Sequence, residues 1–241
     1  MKNILASLKE LIYPAVCLVC TKHLHDIQDI HLCPDCWANL HFIEPPMCSC
    51  CGKEFFAGSS ANHLCSTCLT TPYSFSKARS LLSYNDDAAQ LVHSIKYGRQ
   101  TAALSTFNGI WEKRGLKKEF SHVDLVLPVP LHFERLQWRG YNQALLLAEL
   151  FFHDRKEIIN PFLLQRVTNT PPQTGLKGRE RRKNVLGAFA VKHPRQIAAK
   201  NILLVDDVFT TGSTLNECAK TLMDMGAEDV QAVTLARVQY H

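Results

Sequence analysis

Apolar residues recur along this chain with two different periods, and their succession outlines an architecture. Short apolar runs bounded by charges or turn residues fall at 76–84, 123–127, 203–205 and 230–235, and read as buried strands. Segments 87–97, 101–111, 141–152 and 213–225 instead space their apolar residues for helices. Leu91, Val92 and Ile95 share one face of the first, and Leu145, Ala148, Glu149 and Phe152 form a mostly apolar stripe on the third. Pro128-Val129-Pro130 stops the 123–127 strand, because proline cannot donate to a central ladder, and Gly115 closes the second helix. Strands alternating with helices predict an α/β fold with a parallel, twisted sheet. At the start of the chain, Ile4, Leu5, Leu8, Leu11 and Ile12 fall on one helical face. That short amphipathic helix is expected to pack on the body of the protein, since little basic flank supports membrane contact.

Length and composition narrow the classes. At 241 residues the chain suits one large domain or two smaller ones, with the composition of an ordinary globular protein. No run of about 18 apolar residues is present, so no helix spans a bilayer. The N-terminus lacks an A-x-A cleavage pattern, and Lys9-Glu10 interrupts its apolar stretch, unlike an export signal. A reducing, cytoplasmic location is therefore expected, where clustered cysteines bind metal more often than they form disulfides. The net charge of +5, from 27 Lys+Arg against 22 Asp+Glu, favours anionic ligands without requiring nucleic acid.

Cysteine usage divides the chain, because nine of the ten lie before residue 70. Eight of them form four C-x2-C pairs: Cys17 and Cys20, Cys33 and Cys36, Cys48 and Cys51, Cys65 and Cys68. Each pair places two thiolates on one Zn²⁺ in a tight turn, and two pairs complete a closed tetrahedral site. The pairs therefore predict two structural zinc ions in a small module over 1–72, ahead of the α/β domain over 73–241. Sequential pairing closes the shorter loops, while a crossed arrangement also satisfies the spacing. Redox catalysis fits less well, since a thioredoxin-type site needs one C-x2-C beside a βαβ unit. Cys50 is the odd thiol and is expected to be a non-ligand; His31 and His63 are expected at the surface. Cys218, inside the 213–225 helix, reads as a small core residue.

The densest chemistry lies in residues 202–214. A buried strand carries two adjacent carboxylates, Asp206 and Asp207, at its C-terminal tip. A small-residue loop of Thr210, Thr211, Gly212, Ser213 and Thr214 then opens the next helix. Ligands of open parallel sheets bind outside the carboxyl ends of the strands. The loop-to-helix junction there offers backbone N–H groups and a positive dipole end to a phosphate. Carboxylates do not hold an anion, but they accept hydrogen bonds from sugar hydroxyls. A phosphorylated ribose satisfies both halves. An ordinary strand–helix junction needs only one Asp as a cap, and the loop lacks the Lys of an NTPase pattern.

Two further segments bring positive charge to the same edge. Pro128-Val129-Pro130 leads to Arg135 and then Arg139-Gly140-Tyr141-Asn142-Gln143, a turn that can face a pyrophosphate. The other runs from Arg166 through Thr170-Pro171-Pro172-Gln173-Thr174 to Lys177, Arg179, Arg181, Arg182 and Lys183. Five positive charges against one negative within 177–183 form a dense anion-binding signal. Three readings stand: a solvated helical face, a lid over pyrophosphate, or a nucleic-acid contact that weakens with salt. Aromatic residues are sparse in that stretch, so no base-stacking platform is legible.

Residues Val205 to Thr214 resemble the phosphoribosyl pyrophosphate (PRPP) signature of type I phosphoribosyltransferases. Together with Cys17 to Cys68, Arg139 to Gln143, and Gln173 with Arg179 and Asn184, they resemble the ComF family of competence and GntX-like proteins over nearly the whole chain. The resemblance implies a zinc module fused to a type I phosphoribosyltransferase fold, in proteins tied to uptake of single-stranded DNA during natural transformation. It implies that Asp206 and Asp207 hold the ribose hydroxyls and that Thr210, Thr211, Gly212, Ser213 and Thr214 hold the 5′-phosphate. Mg²⁺, Arg139 and Arg135, with Gln173 and Arg179 from the loop, would meet the pyrophosphate. Lys177, Arg179, Arg181, Arg182 and Lys183 would contact nucleic acid, with DNA-uptake and helicase proteins as partners. An active transferase, with Asp206, Asp207 and Arg139 as its catalytic set and a base or small nitrogen nucleophile as acceptor, is the competing expectation. A zinc scaffold with a dead site is opposed by the retention of both acids.

Overall fold

The computed structural model describes residues 15–24, 30–55, 61–96, 100–170 and 184–239. The N-terminal amphipathic helix expected around Ile4 to Ile12 lies outside them. In chain order the elements begin with α1 (Pro34–Asn39), α2 (Ser66–Thr70), β1 (Lys77–Ser83), α3 (Asp86–Lys96) and α4 (Gln100–Arg114). There follow β2 (Leu125–Pro128), α5 (Phe133–Arg139), α6 (Gln143–Phe151), β3 (Leu164–Arg166) and β4 (Phe189–Val191). The chain closes with β5 (Asn201–Phe209), α7 (Ser213–Asp224) and β6 (Asp229–Arg237).

The four longer apolar runs form one sheet in the order β1-β6-β5-β2, with every neighbouring pair parallel. β5 is central, and Ile202, Leu203, Leu204 and Val205 are all buried because both faces of the sheet are covered. Leu203 and Val205 face a cluster with α3, α4 and α6, whereas Ile202 and Leu204 face a cluster with α7, β3 and β4. Neither outer edge is bare. Ser83 N donates to His41 O and Ile43 N to Leu81 O along β1, and Asn160 N donates to Val126 O along β2.

Helix spacing explains the two layers. α4 buries Ala103, Phe107, Ile110 and Trp111, and the Trp111 ring stacks on Phe151 of α6 at 4.2 Å. α7 buries Leu215, Cys218, Ala219 and Leu222 on one stripe, so Cys218 is a core residue as expected. Each such large side chain contributes about 1.5–3 kcal/mol through burial.

The structure departs from the periodicity in three places. The α6 face is phased differently: Gln143, Ala144, Leu147, Ala148 and Phe151 are buried, while Glu149 is exposed. Asn142, not Tyr141, starts this helix, its side chain accepting from Ala144 N, and that cap sets the phase. β2 ends at Pro128 as the proline pair implies, but it starts at Leu125 rather than Val123 and takes in Pro128 itself, paired opposite Val205 and tolerated because β2 lies at the edge of the four-stranded sheet. The antiparallel pair β3–β4 and the helix α5 had no periodic signal, since each strand has three residues and α5 buries none.

The cysteine module does not stand apart. Cys17, Cys33 and Cys36 join the cluster of α3 and α4, whereas Cys48, Cys51, Cys65 and Cys68 join that of α7. The second half lies directly on β1, with Ala78 N donating to Cys50 O at 2.7 Å. Gly52 makes this approach: its φ is +70°, and a Cβ there would stand 2.7 Å from Ala78 O.

Candidate functional site

The eight paired cysteines form two clusters, Cys17-Cys20-Cys33-Cys36 and Cys48-Cys51-Cys65-Cys68, with sulfur atoms within 4.8 Å of one another in each. The pairing is therefore sequential, and Cys50 stands outside, its Sγ 3.8 Å from Phe75 O. In each cluster one pair comes from a tight turn and the other from a helix start. Cys33 and Cys65 hold the N-cap positions of α1 and α2, Cys33 Sγ accepting from Cys36 N, which brings Cys36 and Cys68 one turn further on. Amide groups point at the sulfurs, Cys65 N to Cys48 Sγ at 3.3 Å and Cys33 N to Cys17 Sγ at 3.4 Å.

The donor chemistry fits zinc. Hydrogen bonding from the Cys51 thiol, against burial and helped by amides of Cys65, Cys51 and Cys50, draws Cys48 down to about 4. Cys17, which burial would raise, is brought down to about 7 by the amides of Cys20, Cys33 and Val19. Burial and neighbouring thiols push Cys36 up, burial raises Cys68 against the Cys51 thiol, and the Cys48 thiol and burial push Cys51 up. Four packed thiols cannot all ionise alone, whereas a divalent cation stabilises all four as thiolates. These are two closed zinc-binding sites of the structural kind.

His31 corrects the expectation of a surface residue: it is half-buried against α4, with its N donating to Thr106 Oγ1 at 2.8 Å. His63 is exposed and stacks on Phe55 at 4.1 Å.

The second site lies at the carboxyl edge of the sheet. β2 leaves β5 at Val205, where Val129 N makes the last bond to Val205 O, while β6 stays paired to β5 as far as Phe209. Asp206 and Asp207 thus occupy β5 after its neighbour on one side has gone, rather than ending the strand as the sequence implied. Strand sidedness slips there as well. Phe209 lies with Ile202 and Leu204, and Val208 with Leu203 and Val205, and Asp207 N bonds back to Asp206 Oδ1 at 2.9 Å. Ligands of such sheets sit in the opening between diverging strands.

Beyond the acids the chain turns through Thr210 and Thr211 into α7. Gly212 holds the cap position with φ +71° and no side-chain cap, and no acidic residue stands in the first turn. A Cβ at Gly212 would lie 2.5 Å from Phe209 Cζ and 3.0 Å from Tyr73 Cε1, so only glycine fits. Tyr73 OH donates to Thr211 O at 3.1 Å, and Thr211 Oγ1 and Ser213 Oγ lie 2.7 Å apart. The first N–H groups of a helix lack partners within it, which suits this turn to an anion.

Residues 139–143 reach the acids from the next strand. Arg139 Nη1 donates to Gln143 Oε1 at 2.7 Å, and Gln143 Nε2 donates to Asp207 Oδ2 at 3.3 Å. Tyr141 OH anchors to Ile95 O at 2.7 Å and Asn142 Nδ2 to Val129 O at 3.1 Å. Tyr141 and Asn142 therefore hold the turn, while Gln143 and Arg139 extend it from Asp207. Arg135 points elsewhere, to Thr170 O, and Arg166 bonds Thr170 Oγ1. Burial and the Arg135 charge push the Arg166 guanidinium down, while Cys218 and Asp206 hold it up. Arg166 was legible only as the first residue of a basic stretch; its place in the field of Asp206 comes from β3. Gln173, Lys177, Arg179, Arg181, Arg182 and Lys183 lie outside the described residues.

Two family profiles match this chain: "Double zinc ribbon domain" over residues 8–69 and "Phosphoribosyl transferase domain" over residues 158–239. Competence protein F of Haemophilus influenzae is 31% identical over 223 residues, covering 85% of this chain and 96% of that protein. DNA utilization protein YhgH of Salmonella typhi is 29% identical, over 92% of this chain and 90% of its own. Competence protein ComFC of Bacillus subtilis is 27% identical, over 94% and 96%. The architecture is accordingly a double zinc ribbon joined to a phosphoribosyltransferase-like α/β domain. Among the described residues no helix is long and apolar enough to cross a membrane.

Proposed function

The chain belongs to the ComF family of competence proteins, and on that premise we propose that it binds PRPP with Mg²⁺ and assists the handling of incoming single-stranded DNA in natural transformation. One observation carries the ligand half: the acid pair at the parted edge of β5 and the Gly212 turn at the start of α7 lie within a few residues of each other. Asp206 and Asp207 accept the ribose hydroxyls, and the amides and hydroxyls of Thr210, Thr211, Gly212, Ser213 and Thr214 hold the 5′-phosphate. Arg139, oriented by Gln143, meets the pyrophosphate together with Gln173 and Arg179, and Mg²⁺ neutralises that group when bound.

Lys177, Arg179, Arg181, Arg182 and Lys183 supply the DNA contact. The names of the relatives, competence proteins and a DNA utilization protein, support this half. DNA-uptake proteins, helicases among them, are the matching partners. A reducing cytoplasm keeps the eight thiolates available to zinc.

A second reading, transfer of the phosphoribosyl group to a base or small nitrogen nucleophile, is favoured by the Arg139–Gln143–Asp207 chain. It links the cation at the leaving group to the acid at the developing sugar cation, and so aligns both ends of the breaking bond.

Calorimetric titration of Mg²⁺-PRPP into the full-length protein tests the ligand half. The wild type should bind saturably, and the Asp206→Asn, Asp207→Asn double variant should weaken by roughly a hundredfold, from two lost charge-assisted contacts. Equal binding by both proteins, or no heat with the wild type, removes the reading. Oligonucleotide retardation that survives neutralising Arg179, Arg181 and Arg182 would remove the DNA half. Pyrophosphate release in the presence of an acceptor decides for transfer.

A further inference from the structure

We infer that the second zinc centre sets the affinity of the Thr210–Thr214 turn and that Arg237 is the positioning residue between them; the inference rests on the phosphoribosyl reading of that turn. Arg237 ends β6 and is 6% exposed. Its Nη1 donates to Cys51 O at 2.7 Å and its Nη2 to Cys51 Sγ at 3.4 Å, so one side of the guanidinium is held by a zinc ligand. Its face lies 4.2 Å from the centre of the Phe209 ring, opposite it in the β5–β6 register. Phe209 in turn fills the space beside Gly212, where a Cβ would be 2.5 Å from Cζ. One buried cation thus touches the metal centre on one side and, through a single ring, the phosphate turn on the other.

A second strut runs in parallel. Tyr73 stacks on Phe75 at 4.5 Å, meets Phe209 edge-on at 6.1 Å and donates to Thr211 O. The next residue, Ser74, donates its N to Asn216 Oδ1 at 2.7 Å inside α7. A cavity of about 170 Å³ separates the two regions, with Cys51 and Cys65 on one wall and Thr210 and Thr211 on the other.

Charge explains why occupancy of the metal site matters. Four thiolates on one Zn²⁺ carry a net charge of about −2, and the buried Arg237 guanidinium is compensated by that anion. Without the ion four packed thiols cannot all ionise, so part of the negative charge beside the guanidinium is lost, which a buried group tolerates poorly. Close-packed interiors pass such a shift to their neighbours, here Phe209 and then the turn. Among the described residues the cation beside the first centre is Lys22, which is exposed and paired with Asp35, and Cys17, Cys33 and Cys36 pack in the cluster of α3 and α4, away from the turn. Binding linkage is reciprocal, so ligand in the turn must also hold the second zinc.

Zinc transfer from the full-length, two-zinc protein to a colorimetric chelator, with and without saturating Mg²⁺-PRPP, tests this. Cys33→Ser and Cys65→Ser variants assign the two kinetic phases. PRPP should slow the second-centre phase by about tenfold and leave the first unchanged. The Asp206→Asn, Asp207→Asn protein should show no slowing. Arg237→Lys, which keeps the charge but loses the fork and the stacking, should lose most of the protection, and Tyr73→Phe a smaller part. Should Arg237→Lys fail to fold, Tyr73→Phe and the wild-type phases still decide. Equal slowing at both centres, or at neither, while calorimetry shows PRPP bound, overturns the coupling and leaves the proposed function standing. No PRPP binding by the wild type would remove the proposed function, and the inference with it.

Discussion

The two zinc ribbons are built from the same parts and serve different neighbours. Each joins a knuckle turn to a helix start and closes a set of four cysteines. The first is stitched to the helical layer: His31 bonds to Thr106 of α4, and Lys113 of α4 lies over Trp37 at 5.2 Å. The second is stitched to the strand ends, through Ala78 of β1 and Arg237 of β6. The lesson is that metal chemistry alone assigns no role. A structural zinc site can inform a ligand site only where its shell is shared with the elements that form that site.

Substitutions can sharpen or break this contrast. The largest effect is expected from Gly212→Val, which blocks the turn from the ribbon side. A β-branched residue at φ +71°, with its Cβ 2.5 Å from Phe209, should weaken PRPP binding by roughly a hundredfold, about 2.7 kcal/mol, in calorimetry. Elemental analysis should still find both zinc ions. Cys65→Ser comes next: zinc content should fall from two to one, with PRPP affinity reduced by about tenfold. Cys33→Ser should also lose one zinc yet change PRPP affinity by less than about twofold, and a larger change would erase the distinction between the ribbons. The smallest effect belongs to Lys113→Met, which removes the cation from above Trp37. It should cost about 0.5–1 kcal/mol in thermal unfolding and leave ligand binding alone.

Some of this was legible before folding and some was not. The strand–acid–turn–helix unit of 202–214 could be read because every part lies within a few residues of the next, so local chemistry defines it. The C-x2-C pairs were legible for the same reason. Their sequential pairing was favoured by the shorter loops but not fixed, since a crossed arrangement also met the spacing; packing on different core clusters selects the sequential one. The α6 stripe was placed on Leu145 and Glu149 because periodicity carries no absolute phase; the Asn142 cap supplies it. α5 gave no signal because none of its residues is buried, and β3 and β4 are too short to show a period.

The sequence by itself determined the kinds of the longer elements, the metal-binding residues and the nature of the turn after β5. All of these depend on backbone preferences and on donors close together along the chain. Tertiary structure alone decided that Gln143 reaches Asp207, that Tyr73 reaches Thr211 and that Arg237 joins Cys51 to Phe209. Those partners lie 64, 138 and 186 residues apart for the three hydrogen bonds. Only the parallel pairing of β5 with β2 on one side and β6 on the other, and the packing of a ribbon against the strand ends, brings such distant groups within reach.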